Sequence, residues 1–383
     1  MSLLRKIVES VNAGYTGALV RGGRLFYRRF YGELLKRHPV GKVAGEADYV
    51  EKWRPLSRKP HLAPYRLFSQ YIGPDPNIVP EDICATIIQP LLNPAEYRAY
   101  YQDKNMFDKI LSPKIMPASL LRGIGGMDYD ADYVPIEEIK PAIDEINRAE
   151  KRIFIKPSVD SSSGDSVVGF SRGKDGLLHS MEDGKAFDEV WLESYKADNP
   201  DYIVQRGLTQ HPDVAKLNPT SINTIRVATY RSVKDDKPHF LNALIRIGKS
   251  GSFVDNAHAG GLFVGIDRNG VLGKYACDQY GNRYDTFNGI NFKEETLIIP
   301  DFFKVIEFSE SVASRILHAR LVAQDICVES DGQLKLVEFN LRAFSMWLFQ
   351  FTSGVAFGDY TDEIVRYCAE NRKRVRKVIV EPF

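Results

Sequence analysis

Eight short apolar segments with the composition of β-strands lie between residues 152 and 340, and several follow one another through short turns such as SDGQ and DRNG. Consecutive strands joined by short turns pair antiparallel, because a parallel pair needs a long crossover. We therefore predict an α+β fold with largely antiparallel sheets. The predicted strands are residues 152–156, 166–172, 202–206, 222–231, 239–248, 261–267, 319–329 and 334–340, and the predicted helices are residues 185–197, 301–318 and 359–375.

The chain before residue 113 has a different character, because prolines break its apolar segments. The stretches KWRPLSRKPHLAPYR and YIGPDPNIVPEDI each contain three prolines. Proline lacks a backbone N–H and clashes with the preceding turn, so it interrupts a helix or begins one. Residues 1–112 are therefore predicted to form a helical N-terminal region of short helices joined by turns.

Residues 1–42 carry nine lysines and arginines against two glutamates, interleaved with leucines and aromatic residues. One interpretation is a basic amphipathic helix that makes peripheral contact with an anionic membrane. The alternative, which we favour, is a helix that packs its aromatic side on the rest of the protein and leaves its arginines in water.

The composition excludes several classes of protein. A net charge of +1 gives no reason to expect a nucleic-acid partner. The four cysteines lie far apart without a CxxC pair, which argues against a disulfide framework and a thiolate zinc site and favours a reducing compartment. No segment has the length and apolar character of a signal peptide or membrane span. We expect a cytoplasmic protein, with a location at the inner face of the membrane as the alternative, and the sequence predicts no oligomeric state.

Lys156 ends an apolar strand and is followed by a small flexible loop that contains Ser161, Ser162, Ser163 and Gly164. An ammonium group beside freely oriented N–H and hydroxyl donors is suited to the oxygens of a triphosphate. The loop matches neither of the common glycine-rich phosphate motifs, so on these residues alone a hairpin turn with a solvent-directed lysine is the more probable interpretation.

Acidic and amide side chains lie on two strands near the C-terminus. If SDGQ closes a hairpin, Asp325 and Glu338 face each other, and Asn340 projects from the same side as Glu338. Carboxylates on apolar strands are costly unless they are paired or bind a metal, and an all-oxygen set suits Mg²⁺. The alternative is salt bridging to arginines such as Arg226 or Arg342.

Arg226 lies on the apolar strand INTIRVATY, and Arg342 follows the acidic strand in EFNLRAF. An arginine among Ile, Val and Ala implies an anion or a carboxylate to bind, and a structural ion pair is the commoner case. Together with the lysine and the acidic strands, the arginines indicate a magnesium nucleotide site.

The order of these features resembles the ATP-grasp superfamily, which includes D-alanine:D-alanine ligase, glutathione synthetase and biotin carboxylase. More narrowly, YRLFSQYIG, VPEDI, LNP, NTIR, NAHAGG and VEFN resemble the sugar-transfer-associated ATP-grasp proteins, which occur with polysaccharide biosynthesis genes. This narrower resemblance covers most of the chain from about residue 50. It implies an ATP-grasp domain over residues 113–383, divided into a smaller nucleotide-lid subdomain (113–206) and a larger metal- and substrate-binding subdomain (207–383).

The resemblance also implies roles for individual residues. Lys104 matches the first nucleotide lysine, with Lys109 as a rival, and Lys156 matches the second. Ala323 departs from the pattern of D-alanine-type ligases, which have an arginine at this position to hold the developing oxyanion, so Arg226 or Arg342 would have to replace it. The remaining implied residues are the loop Ser161, Ser162, Ser163 and Gly164 at the phosphates, Gln205, Gly207 and Leu208 at the adenine hinge, and Asp325, Glu338 and Asn340 at Mg²⁺.

A glycine-containing segment, FVDNAHAGGLFVGID, turns toward the expected site. Asn256, His258, Gly260 and Gly261 are candidates for contact with substrate, because glycine allows close backbone approach. A bulged hairpin with a capping histidine explains the segment equally well, and we assign no catalytic role to His258.

The activity that the resemblance implies is carboxylate activation by ATP and Mg²⁺, in which a carboxylate takes the γ-phosphoryl group as an acylphosphate and an amine then displaces phosphate. The expected partners are a small-molecule or glycan carboxylate, with a carboxyl-bearing sugar of polysaccharide biosynthesis as the favoured case, and an amine such as an amino acid. The alternatives are a peptide ligase or kinase acting on a small molecule, and a non-catalytic ATP-binding scaffold of envelope glycan assembly.

Overall fold

The structure is a computed structural model that describes residues 2–159, 166–252, 255, 260–342 and 344–374. Helices and short 3₁₀ turns form the chain up to residue 115, as predicted. The helices of this region are α1 (Ser2–Arg37), α2 (Glu46–Trp53), α3 (Leu62–Ile72), α4 (Glu81–Ile83), α5 (Gln89–Leu92), α6 (Ala95–Gln102) and α7 (Phe107–Ile110), with a π-helical turn at Cys84–Ile88 and 3₁₀ turns at Lys104–Met106 and Pro113–Ile115.

A smaller antiparallel sheet follows, with strand order β2-β1-β6-β3-β4-β5. Its strands are β1 (Ser119–Ile124), β2 (Met127–Asp130), β3 (Arg152–Pro157), β4 (Val168–Arg172), β5 (Leu178–Ser180) and β6 (Tyr202–Arg206). The amphipathic helices α8 (Ile139–Ala149) and α9 (Glu189–Asp198) bury their apolar residues against this sheet. The Asp188 carboxylate caps α9 by accepting a hydrogen bond from the Trp191 N–H at 2.8 Å.

A larger antiparallel sheet has the strand order β11-β10-β9-β8-β7-β14-β15. Helix α11 packs on one face together with Tyr101 and Phe107, whereas α1 to α5, α12 and α13 pack on the other. A separate ribbon pairs β12 with β13. The remaining bounds are α10 (Pro212–Ala215), β7 (Ile225–Arg231), β8 (Pro238–Ile247), β9 (Leu262–Ile266), β10 (Ala276–Cys277), β11 (Arg283–Tyr284), β12 (Thr286–Phe287), β13 (Ile290–Asn291), α11 (Phe302–Ser314), β14 (Leu321–Val328), β15 (Leu334–Asn340), α12 (Met346–Thr352) and α13 (Thr361–Asn371), with 3₁₀ turns at Gly358–Tyr360 and Arg372–Arg374.

The α+β class, the antiparallel sheets and the helical N-terminal region are confirmed. The eight predicted strands all appear, most of them shorter by one to three residues at an end, and seven further strands were missed: β1, β2, β5, β10, β11, β12 and β13. The predicted domain boundaries, including the division at residue 206, stay a prediction.

Helix α1 packs on the rest of the protein through its C-terminal half. Tyr27, Tyr31 and Leu34 are buried in the core shared with α3, whereas Leu25 is 69% exposed. This arrangement agrees with the packing interpretation of residues 1–42. No helix among the described residues is both long and apolar enough to span a bilayer. Membrane contact and a cytoplasmic location stay predictions.

Candidate active site

The hairpin of β14 and β15 brings the predicted acidic residues together. Its turn contains Gly332 at φ 82°, a conformation that glycine adopts without strain. In the ladder Asp325 pairs with Glu338, and a bulge follows, since the next partners are Ile326 and Leu336. Bulges re-aim side chains next to functional sites. The hairpin predicted from the SDGQ turn is present, and the Asp325 and Glu338 carboxylates lie side by side on it.

Asp325 is almost completely buried and binds two arginines. The Nε of Arg226 donates to Oδ1 at 2.9 Å and its Nη2 donates to Oδ2 at 2.8 Å, while Nη1 of Arg246 donates to Oδ2 at 3.3 Å. Burial alone would raise the pKa of Asp325, but the two guanidinium groups and a hydrogen bond with Glu338 hold it below its usual value. Asp325 thus forms a salt bridge with Arg226, as the alternative interpretation of the acidic residues proposed.

Glu338 and Asn340 complete the cluster from the same strand. Both are partly exposed, and the Glu338 side chain lies within hydrogen-bonding reach of Asp325. The Asn340 Nδ2 atom is buried without a hydrogen-bond partner among the described residues. Two adjacent carboxylates repel each other unless a proton or a cation lies between them.

This donor set fits Mg²⁺, because it offers two carboxylates and an amide oxygen. Among the described residues no group of three or more His, Cys, Asp or Glu side chains could hold a metal, so the amide would have to act as the third protein ligand. The assignment of Asp325, Glu338 and Asn340 as ligands stays a prediction.

The ion pair of Arg226 with Asp325 leads to a stability prediction. Replacing Arg226 by Leu leaves a buried carboxylate with one weaker partner, so we expect the free energy of unfolding to fall by about 3–5 kcal/mol in chemical denaturation. The matched double variant Arg226→Leu/Asp325→Leu removes both charges and should recover most of the loss. A single variant as stable as the unmodified protein would contradict this account.

Lys156 and Lys104 come to the same place from different elements. Lys156 lies near the end of β3, and the backbone N–H of Lys104 donates to the Ser158 carbonyl at 2.9 Å. Burial, and then repulsion by Lys104, lower the pKa of Lys156 to about 8, whereas Glu338 and Asp325 act to raise it. Lys156 therefore lies within electrostatic range of both Lys104 and the acidic pair.

The turn that carries Lys104 is held by its neighbour. The Asn105 Nδ2 donates to the Gly123 carbonyl at 2.9 Å and to the Tyr202 carbonyl at 3.1 Å, which ties the turn to β1 and β6. Lys109, the rival candidate, instead lies over the ring of Tyr133, 3.9 Å from its centroid. The geometry favours Lys104.

The predicted adenine hinge lies at the end of β6, where the chain leaves the smaller sheet. Gln205 is buried, with its Nε2 3.5 Å from the Pro117 carbonyl. Gly207 donates its N–H to the Arg152 carbonyl at 2.9 Å, and a Cβ at Gly207 would lie 2.8 Å from the Arg152 Cγ. Leu208 is buried. The hinge backbone thus approaches β3 too closely for a larger residue, and its role at adenine stays a prediction.

Several predicted residues lie outside the described residues. They are Ser161, Ser162, Ser163, Gly164, Asn256 and His258. Of the same candidates, Gly260 has a φ of 84°, which glycine adopts without strain, and Gly261 is buried directly before β9; their contact with substrate stays a prediction. Arg342 follows the end of β15, and its predicted role as an oxyanion-binding residue stays untested.

The sequence analysis missed Arg246 and Asp255. Nη2 of Arg246 lies 3.1 Å from Oδ1 of Asp255, whose Oδ2 accepts hydrogen bonds from the backbone N–H of Thr224 at 2.9 Å and from the Thr224 hydroxyl. The signal was present, because LNALIRIG places an arginine on an apolar strand, as INTIRVATY does. Arg246 thus links the segment at Asp255 to Asp325.

Two antiparallel sheets with lysines and carboxylates between them define a protein of the ATP-grasp fold. The chain belongs to the sugar-transfer associated ATP-grasp family, which matches residues 85–364. No curated protein matches the sequence.

Three solved structures with a similar fold share little sequence identity with this chain, and their TM-scores are below 0.4. The D-cycloserine synthetase DcsG is 11% identical, with 74% of this chain and 73% of that chain covered and a TM-score of 0.39. The D-alanine-D-alanine ligase from Coxiella burnetii is 9% identical (76% and 67% covered, TM-score 0.38). The biotin carboxylase domain of the Hydrogenobacter thermophilus 2-oxoglutarate carboxylase, in complex with MgADP and bicarbonate, is 10% identical (72% and 46% covered, TM-score 0.38).

Proposed function

We propose that the protein is an ATP- and Mg²⁺-dependent ligase that joins a carboxylate to an amine through an acylphosphate, with a carboxyl-bearing sugar as the acceptor. The observation that carries this proposal is the shared electrostatic environment of Lys104, Lys156, Asp325 and Glu338. Cations and carboxylates that are brought together from both sheets suit a metal-chelated triphosphate. The family's association with sugar transfer supports the sugar.

ATP would supply the phosphoryl group and Mg²⁺ would neutralise part of its charge, with Asp325, Glu338 and Asn340 as the ligands. Lys104 and Lys156 bind the phosphate oxygens and hold them in place. Arg226 fixes the Asp325 carboxylate by its two hydrogen bonds, so that this ligand is oriented before anything binds. The protein's part is positioning and electrostatic stabilisation, without a protein nucleophile.

Product analysis tests the proposal. The full chain is incubated with Mg²⁺, ATP and pairs of a uronic acid and an amino acid, and ADP and phosphate are measured. A ligase releases both only when the carboxylate and the amine are present together. ADP release that needs no amine would instead identify a kinase. Binding of ATP with Mg²⁺ but no release across the panel would favour a scaffold.

The lowered pKa of Lys156 predicts how nucleotide binding depends on pH. Below about pH 8 the Lys156 ammonium is charged and attracts phosphate, and above it the unliganded protein loses this proton. We therefore expect the affinity for ADP with Mg²⁺ to fall as the pH rises from 8 to 9.5, by up to about tenfold per pH unit. Calorimetric titration at several pH values measures this slope.

The matched variant for this experiment is Lys156→Arg, because a guanidinium stays charged throughout the range. Its affinity for ADP should show a flat profile above pH 8. If the affinity for ADP falls equally with pH in the unmodified protein and in the variant, the group that titrates is not Lys156.

A further inference from the structure

Arg246, Phe263 and Trp347 lie next to one another on the face of the larger sheet that carries Asp325. Arg246 on β8 pairs with Phe263 on β9, and the side chains of directly paired residues point to the same face. Trp347, in the first turn of α12, packs its ring against Phe263 with the centroids 5.7 Å apart and the planes at 77°. A cation and a partly exposed indole therefore border the same corner of the site.

Arg246 is better placed than Arg226 to accept a further anion. Both nitrogens that Arg226 directs at Asp325 lie within 2.9 Å of it. Arg246 divides its contacts between Asp325 at 3.3 Å and Asp255 at 3.1 Å, and its side chain is more exposed, 18% against 11%. A guanidinium has five N–H donors, so these two longer contacts leave donors for an incoming carboxylate.

The indole of Trp347 has a polar group that no described residue pairs with. Its Nε1 atom is buried and has no hydrogen-bond partner among the described residues. A buried indole N–H usually finds an acceptor, and leaving it unpaired costs free energy. The ring edges of Phe263 and Phe351 support the indole, with the Phe351 centroid 6.1 Å away. A hydroxyl of a bound molecule would satisfy the N–H.

We propose that Arg246 and Trp347 form the acceptor subsite, in which Arg246 binds the carboxylate of a pyranose acid and Trp347 packs on the sugar ring. The C–H bonds of a pyranose ring carry small positive charges and pack on the negative face of an indole, and its hydroxyls accept from the indole N–H. An open-chain acid offers no flat face for the indole. This inference rests on the proposed function and assigns its acceptor specificity to two residues.

Tryptophan fluorescence can report on this subsite, because Trp347 is one of only three tryptophans in the chain. The full chain with Mg²⁺ and AMP-PNP is titrated with D-glucuronate. D-glucose, a ring without a carboxylate, and D-gluconate, an open-chain carboxylate, serve as comparators. We expect saturable quenching by glucuronate, and affinities at least about tenfold weaker for both comparators.

Variants of the two residues separate their roles. Trp347→Phe should abolish the quenching and weaken glucuronate binding by about three- to tenfold in calorimetry. Arg246→Lys, which keeps the charge but loses the planar fork, should weaken it by about tenfold or more. The control Trp191→Phe removes a tryptophan on α9 that packs against Phe170, and it should keep the quenching.

The inference is overturned if Trp347→Phe retains both the quenching and the affinity, or if glucose and gluconate bind as tightly as glucuronate. Binding of AMP-PNP to the unmodified chain, measured in the same experiment, separates this failure from that of the proposed function. AMP-PNP binding without any response to glucuronate rejects the subsite alone. Absence of AMP-PNP binding rejects the nucleotide site on which it depends.

Discussion

Replacing Glu338 by Gln is expected to lower the rate of ADP release by roughly 10²–10³-fold while the protein stays folded. Gln has nearly the same shape, but it removes the negative charge that a magnesium-bound triphosphate requires. Because the Gln amide can donate a hydrogen bond to the neighbouring Asp325 carboxylate, the substitution should not destabilise the unliganded protein. The melting temperature should therefore stay the same or rise. ADP release with saturating substrates and thermal unfolding measure the two effects.

Glu329 provides the matched control, because it belongs to the same hairpin and pairs with Lys335 at 3.8 Å, near the turn. Glu329→Gln should leave ADP release within about twofold of the unmodified rate. A Glu338→Gln variant with full activity and an altered melting temperature would show that Glu338 is only structural.

Replacing Lys156 by Met is expected to weaken binding of ATP with Mg²⁺ by about 10²-fold or more, and turnover should fall with it. Met keeps most of the volume and loses only the charge. Since burial and Lys104 make the Lys156 ammonium unfavourable in the unliganded protein, the variant should be no less stable. Equilibrium binding of AMP-PNP and chemical denaturation test the two expectations together.

Lys151 is the control for this experiment, because it precedes β3 and is exposed. Lys151→Met should bind AMP-PNP as the unmodified chain does. Equal nucleotide affinity in Lys156→Met and in the unmodified chain would remove Lys156 from the phosphate site.

The hairpin at the acidic pair could be predicted from sequence because its determinants are local. The glycine-containing turn, the alternation of β15 and the spacing of Glu338 and Asn340 are properties of one short segment. The bulge in this hairpin was not predicted. Because of it Ile326 pairs with Leu336, and the carboxylates lie where a regular register would not place them. The identity of the facing residues was predicted, and their local geometry was not.

Of the two partners of Asp325, the sequence offered Arg226 only as an alternative and did not indicate Arg246, because both contacts depend on the order of strands in the sheet. Arg226 is adjacent only because β7 pairs with β14, and Arg246 reaches the same carboxylate from β8, one strand further away. Pairing of strands so distant in sequence has no short-range signal. The same reason explains why Arg246 and Asp255 were missed although their residue types were visible.

Lys104 was predicted from the family resemblance alone. The local sequence pattern around it gave no signal for a nucleotide-binding lysine. Its turn has no strong local signal, and Lys109 was a rival for the same role. Its position depends on the contacts of Asn105 with β1 and β6. Because β1 was itself not predicted, no argument from the sequence alone could have chosen between the two lysines.

The crystal structure of the full chain with AMP-PNP and Mn²⁺ in place of Mg²⁺ tests the central claim most directly, since the anomalous signal of manganese locates the metal. We predict a peak at coordination distance from oxygens of Asp325, Glu338 and Asn340, with the β- and γ-phosphates between it and the ammonium groups of Lys104 and Lys156. A nucleotide bound elsewhere, or a metal with no contact to Glu338, would contradict the account.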